Sequence, residues 1–168
     1  MKTETYRSLI KLHIKFKPQE FGKICQKILA ISFQESGYNC VAETERGVQG
    51  VDIGEVEKGD EKYSIEVKTT NKDIIYYGQK DLDGLKYQKE KGYEPIIAVL
   101  RLDMFSDWIF ARADRLKIGS IYINSFRAFR LPELEKTIQP FFDIAVEEHF
   151  MSTMEGGQEY LDKVLKSK

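Results

Sequence analysis

A chain of 168 residues with 42% apolar and 32% charged side chains is long enough to bury a core and too apolar for a disordered segment. A net charge of −1 argues against a uniformly basic polyanion binder. No apolar run approaches the ~18 to 20 residues of a membrane span, and the charged stretch from Lys2 to Arg7 lacks a secretory signal's apolar region. The expectation is one cytoplasmic domain over residues 1–168, with no membrane association and no small-molecule cofactor. The near-zero total hides segregation: residues 1–17 carry five positive charges and one negative, residues 107–131 five and two, and residues 132–168 four and eight. Local basic surfaces are therefore compatible with the neutral total.

In chain order, residues 9–17 alternate, with Leu12, Ile14 and Phe16 on one side and Lys11, His13, Lys15 and Lys17 on the other. That pattern predicts a strand with a basic outer face. Pro18 opens a predicted helix to about Glu35, with Phe21, Ile24, Cys25, Ile28, Leu29 and Phe33 at three-and-four spacing, and Ser36-Gly37 stops it. Three strands are predicted at about 38–45, 51–57 and 62–69, the last two joined by the turn Lys58-Gly59-Asp60-Glu61. After a short apolar segment, Ile74 to Tyr77, a helix is predicted from about Gln79 to Lys91. Ile96 to Leu100 then form a continuous apolar run typical of a central strand. Trp108 to Ala111 read as a further strand. Beyond it the chain is mostly helical, with Pro132 opening a helix, Pro140 breaking or restarting it, and Gly156-Gly157 before a last amphipathic piece. The helix between strands 62–69 and 95–102 is long enough for a crossover, so those strands can run parallel in a mixed sheet. The fold class is α/β, a central mixed sheet flanked by helices in the order α-β-β-β-α-β. Cys25 and Cys40 lack CxxC or His-rich surroundings and read as reduced structural thiols. His13 and His149 have no partner visible in the sequence and read as surface residues.

The chemistry concentrates in Gly50-Val51-Asp52-Ile53 and Tyr63-Ser64-Ile65-Glu66-Val67-Lys68-Thr69. An acid-x-Lys tripeptide is common, and this chain has two. Asp60-Glu61-Lys62 falls in the turn, where charges are solvated, whereas Glu66-Val67-Lys68 lies within a strand. Alternation there sets Glu66 and Lys68 on one face and Ile65 and Val67 on the other. With the turn centred on Gly59, Asp52 faces Glu66 across the hairpin. Cβ atoms of opposed residues lie ~4.5 to 5.5 Å apart, close enough for two carboxylates to share one cation. Oxygen ligands suit Mg²⁺ or Mn²⁺ rather than zinc. An ordinary cross-strand salt-bridge cluster would use the same residues.

The helix carrying Glu20, then Gly-Val-Asp, then Ile-Glu-Val-Lys-Thr, then a helix and an apolar strand resembles the PD-(D/E)xK nuclease superfamily. That group contains restriction endonucleases, archaeal Holliday-junction resolvases and RecB-like nucleases. The resemblance covers about residues 18–102, leaving 103–168 as a mostly helical C-terminal extension; Val51 stands where the motif's proline would be. It implies a restriction-endonuclease-like core and a Mg²⁺- or Mn²⁺-dependent nuclease acting on DNA, an endonuclease by preference. It further implies Asp52 and Glu66 as metal ligands, the Val67 carbonyl as another, and Lys68 as the catalytic lysine. Glu20 would complete the site, although its place in the first helical turn also suits a helix-dipole role. Gln79 and Tyr87 resemble the glutamine-and-tyrosine motif of the RecB-like branch. The competing expectation is a module that keeps the nuclease fold for nucleic-acid or protein binding without cleavage.

Candidate phosphate contacts are Lys11, Lys15, Lys17, Lys80, Lys86, Arg112, Arg115 and Lys117. Tyr76 and Tyr77 could stack on unpaired bases. The aromatic content beyond residue 102, including Phe105, Trp108, Phe126, Phe129, Phe142 and Phe150, suggests a homodimer.

Overall fold

A computed structural model describes residues 1–42 and 51–167. The end of the strand expected over 38–45 and Gly50 lie outside the described residues. The elements are helices α1 (Thr3–Lys15) and α2 (Pro18–Glu35), strands β1 (Asn39–Ala42), β2 (Ile53–Lys58), β3 (Glu61–Thr70) and β4 (Ile74–Tyr77), helix α3 (Gln79–Glu90), strands β5 (Glu94–Arg101), β6 (Ile109–Arg112) and β7 (Gly119–Tyr122), and helix α4 (Pro132–Lys166).

Five strands form a mixed sheet in the order β1-β2-β3-β5-β6. β3 and β5 run parallel, with α3 in the crossover between them, and the other pairs are antiparallel. The continuous apolar run of β5 is buried on both faces. Ile96, Ala98 and Leu100 join a core with α1, α2 and α4, while Ile97 and Val99 join a second core with Tyr77, Leu85 and Phe126. β4 and β7 pair separately as an antiparallel ribbon over the second core. No helix among the described residues is long and apolar enough to cross a membrane.

The first segment departs from expectation. Residues 3–15 are helical, and the buried positions Thr5, Leu9 and Leu12 follow the helical repeat. Ile14, which alternation places inside, is 78% exposed. The lysines of this segment turn to α4 instead of forming a basic strand face: Lys11 lies over the Phe150 ring at 5.7 Å, and Lys15 donates to the Met154 carbonyl.

Pro140 does not interrupt α4. It sits on an exposed face, as does Lys136, whose carbonyl would otherwise accept the missing amide and can turn to water. The helix breaks at Gly157, where φ 54° and ψ −144° suit a residue without Cβ. The segment beyond folds back so that His149 Nδ1 lies 2.8 Å from the Tyr160 hydroxyl. His149 is half-buried rather than a surface residue, and His13 packs edge-on against Phe21 at 4.9 Å. Cys25 and Cys40 are free thiols whose pKa values burial raises. Of the late aromatics, Trp108, Phe126 and Phe142 are wholly buried in the chain's own cores, while Phe105 and Tyr122 face outward.

Candidate active site

The hairpin β2–β3 brings the two carboxylates together by a route the simple turn count misses. Lys58 pairs with Glu61, so the loop is the two residues Gly59-Asp60, with Gly59 at φ 60° as tight hairpins require. That register alone would not set Asp52 opposite Glu66. Between the pairs Val56–Tyr63 and Ile53–Ile65, Gly54 and Glu55 oppose Ser64 alone. This bulge shifts the register by one residue just before Asp52, whose carboxylate reaches the Val67 amide of β3.

Asp52 is fixed from both neighbouring elements. Its Oδ2 accepts the Val67 amide at 2.9 Å, and its backbone carbonyl accepts Gln26 Nε2 of α2 at 2.6 Å. Lys23 Nζ lies 3.5 Å from Asp52 Oδ1 and donates to Gln26 Oε1 at 3.0 Å. Glu66 is 5% exposed, and its Oε1 accepts Lys68 Nζ at 2.7 Å. The same ammonium lies 2.8 Å from Asp81 Oδ2. Asp81 occupies the first turn of α3, where it also accepts the Gly78 amide at 2.8 Å.

Burial, then the nearby Asp52 carboxylate, hold the Glu66 pKa well above the usual carboxylate range despite the opposing pull of Lys68. Burial works against the charge on Lys68, but Glu66 and Asp81 outweigh it and raise its pKa. Burial likewise opposes ionisation of Asp81, and the Gly78 amide and Lys68 overcome it, leaving its pKa below normal. The site thus holds one carboxylate whose ionisation is resisted next to a second, a charge arrangement that a divalent cation would relieve.

An open cleft of about 880 Å³ collects Glu20, Lys23, Gln26, Asp52, Glu66, Val67, Lys68 and Thr69, with Gln158 from beyond the α4 kink in its wall. Glu20 shares this cleft, but its carboxylate lies against the kink, where a Cβ on Gly157 would stand 3.1 Å from Oε1. Among the described residues it does not close on Asp52 and Glu66 as a third ligand within 4.8 Å. Gln79 is not brought into the cleft: it is exposed and donates to Asp83 at 2.6 Å. Tyr87 is also exposed, with Lys91 4.6 Å from its ring centroid. None of the basic candidates lines the cleft, and Arg112 pairs with Glu94 at 2.7 Å. Lys23, Gln26 and Asp81 also surround the acid pair and lysine, and no motif in the sequence marks them. Gln26 carried a signal, being a polar residue within the buried face of α2; Asp81, three residues after Gly78, fits a helix-start acid.

The architecture is a restriction-endonuclease-like fold, with the acid pair and lysine on its central hairpin. No family model matches the chain, and no curated protein matches it. Among solved structures it is similar to Hjc, a Holliday junction resolvase from the archaeal hyperthermophile Archaeoglobus fulgidus. The TM-score is 0.55 at 17% identity, covering 68% of this chain and 95% of that one.

Proposed function

We propose that the chain is a Mg²⁺- or Mn²⁺-dependent nuclease that hydrolyses phosphodiester bonds of DNA, endonucleolytically, and that its active species is a homodimer. The observation that carries this reading is the meeting of Asp52, Glu66 and Lys68 in one open cleft, with Glu66 held against its neighbour's charge. Asp52 and Glu66 would hold the ion, with the Val67 carbonyl as a third donor and Glu20 in the wall of the same cleft. The bound ion supplies an acidified water and charge neutralisation at the phosphate.

The chain's own groups do the remainder. Asp81 and Glu66 keep Lys68 charged and aimed, so its ammonium can stabilise the charge developing on a phosphate oxygen. Gln26 and the Val67 amide fix Asp52, which limits reorganisation when substrate arrives. Lys23 offers a further contact for the phosphate backbone at the cleft wall. A smaller cleft of about 410 Å³ shares Thr69 and continues past Thr70, Asn71 and Lys72, with Pro18, Phe21 and Leu102 also in its lining.

The likeness to a junction resolvase makes branched DNA the first substrate to test. Labelled four-way junction, duplex and single-stranded DNA, each with Mg²⁺ or Mn²⁺, should reveal cleavage by the unaltered protein. Asp52→Ala, Glu66→Ala and Lys68→Ala should each lower it by on the order of 10²-fold or more with an unchanged circular dichroism spectrum. Full activity in all three variants would overturn the assignment. DNA binding without cleavage by the unaltered protein would make the chain a binding module on a nuclease fold.

A further inference from the structure

A second constellation lies outside the cleft, where the C-terminal end of α2 meets α4. One carboxylate oxygen from each of Glu35 and Glu148 and one ring nitrogen of His149 lie within 4.8 Å of one another. One feature distinguishes this group from a chance gathering of surface acids. His149 Nδ1 is engaged by the Tyr160 hydroxyl at 2.8 Å, whereas Nε2 is buried with no hydrogen-bond partner among the described residues. A buried imidazole nitrogen left so is unfavourable unless a ligand takes it up.

We propose that Glu35, Glu148 and His149 form a second metal site, which takes one borderline transition ion such as Zn²⁺ and pins the end of α2 to α4. The donor set separates it from the cleft. Imidazole with carboxylates suits Zn²⁺, whereas the all-oxygen pair Asp52 and Glu66 suits Mg²⁺ or Mn²⁺. Tyr160 acts as the outer partner that orients the ring: with Nδ1 held, Nε2 is presented to the ion. Two ligands at ~2.2 Å from zinc stand at most ~4.4 Å apart, so the group must contract slightly. The exposed side chain of Glu148 can supply that movement by rotation. A fourth position is left to water. The pin joins α2, which carries Glu20, Lys23 and Gln26, to the helix whose kink closes the cleft wall. Its role is structural, and it stands whether or not the cleft cuts DNA.

The test uses ZnCl₂ alone on the full chain, with equilibrium dialysis, metal analysis and thermal melting. The Asp52→Ala protein, whose cleft lacks one carboxylate, should take up one equivalent of Zn²⁺ and melt at a higher temperature. Adding His149→Ala or Glu148→Gln to that protein should weaken uptake by more than about tenfold and remove the thermal gain. Glu148 is exposed, so its variant tests the site even if His149→Ala fails to fold. Absence of uptake by the Asp52→Ala protein, or undiminished uptake after Glu148→Gln, would overturn the proposal.

Discussion

Glu66 is the residue on which charge and stability meet. Its folded pKa stands above the ordinary 4.5, raised first by burial and then by Asp52. The native state therefore holds this proton more tightly than the unfolded chain does. The stability of the metal-free protein should fall as pH rises from about 4.5 through the raised value, and Glu66→Gln should abolish that loss. In EDTA, the melting temperature of the unaltered protein should drop relative to the variant between about pH 5 and 7. Mg²⁺ should narrow the gap at neutral pH by favouring the charged carboxylate. Parallel profiles for the two proteins would remove Glu66 as the linked group. The pairing of Glu66 with Lys68 was legible in the sequence because strand alternation is local. Their third partner, Asp81, was not, because only the parallel pairing of β3 with β5 through α3 brings it beside Lys68.

At the scale of the elements, the clearest contrast is between α1 and α2. In α2 the apolar residues fit one repeat alone, so its span could be read directly from Pro18 to Glu35. Residues 9–17 fit both a strand and a helix over their short length, since Leu12, Ile14 and Phe16 alternate while Leu9 and Leu12 also share a helical face. Packing against α4 decides between them, and no local signal carries that information. The two readings predict different mutants. Leu12, wholly buried, should lose about 2 to 5 kcal/mol on substitution by alanine. Ile14, on the exposed face, should change by within about 0.5 kcal/mol. Urea denaturation of Leu12→Ala and Ile14→Ala measures both, and equal losses would restore the strand. The β2–β3 hairpin teaches a related point. The two-residue turn and the bulge are two departures from a simple count whose effects on the register offset each other by Ile53, next to Asp52.

At the scale of the whole molecule, the aromatic excess beyond residue 102 has two destinations. Trp108, Phe126 and Phe142 are consumed by the chain's own cores, so they give no support to a dimer. What faces outward is different: Tyr76 is 66% exposed and Tyr122 62% exposed. Tyr122 pairs with Ile74, two residues from Tyr76, so both tyrosines stand on one face of the β4–β7 ribbon. The ribbon follows directly from β3, the strand carrying Glu66 and Lys68. Under the proposed nuclease function one site would cut one strand, and two sites about a two-fold axis would suit a two-stranded substrate. Self-association through the tyrosine face is therefore the expected arrangement. Light scattering over a dilution series should give twice the chain mass at micromolar concentration, and Tyr76→Ser combined with Tyr122→Ser should shift it to the monomer. Duplex or junction cleavage in that variant should collapse to nicking of single strands. A monomeric mass for the unaltered protein with full cleavage of both strands would refute the dimer and leave the two tyrosines as surfaces for unpaired bases.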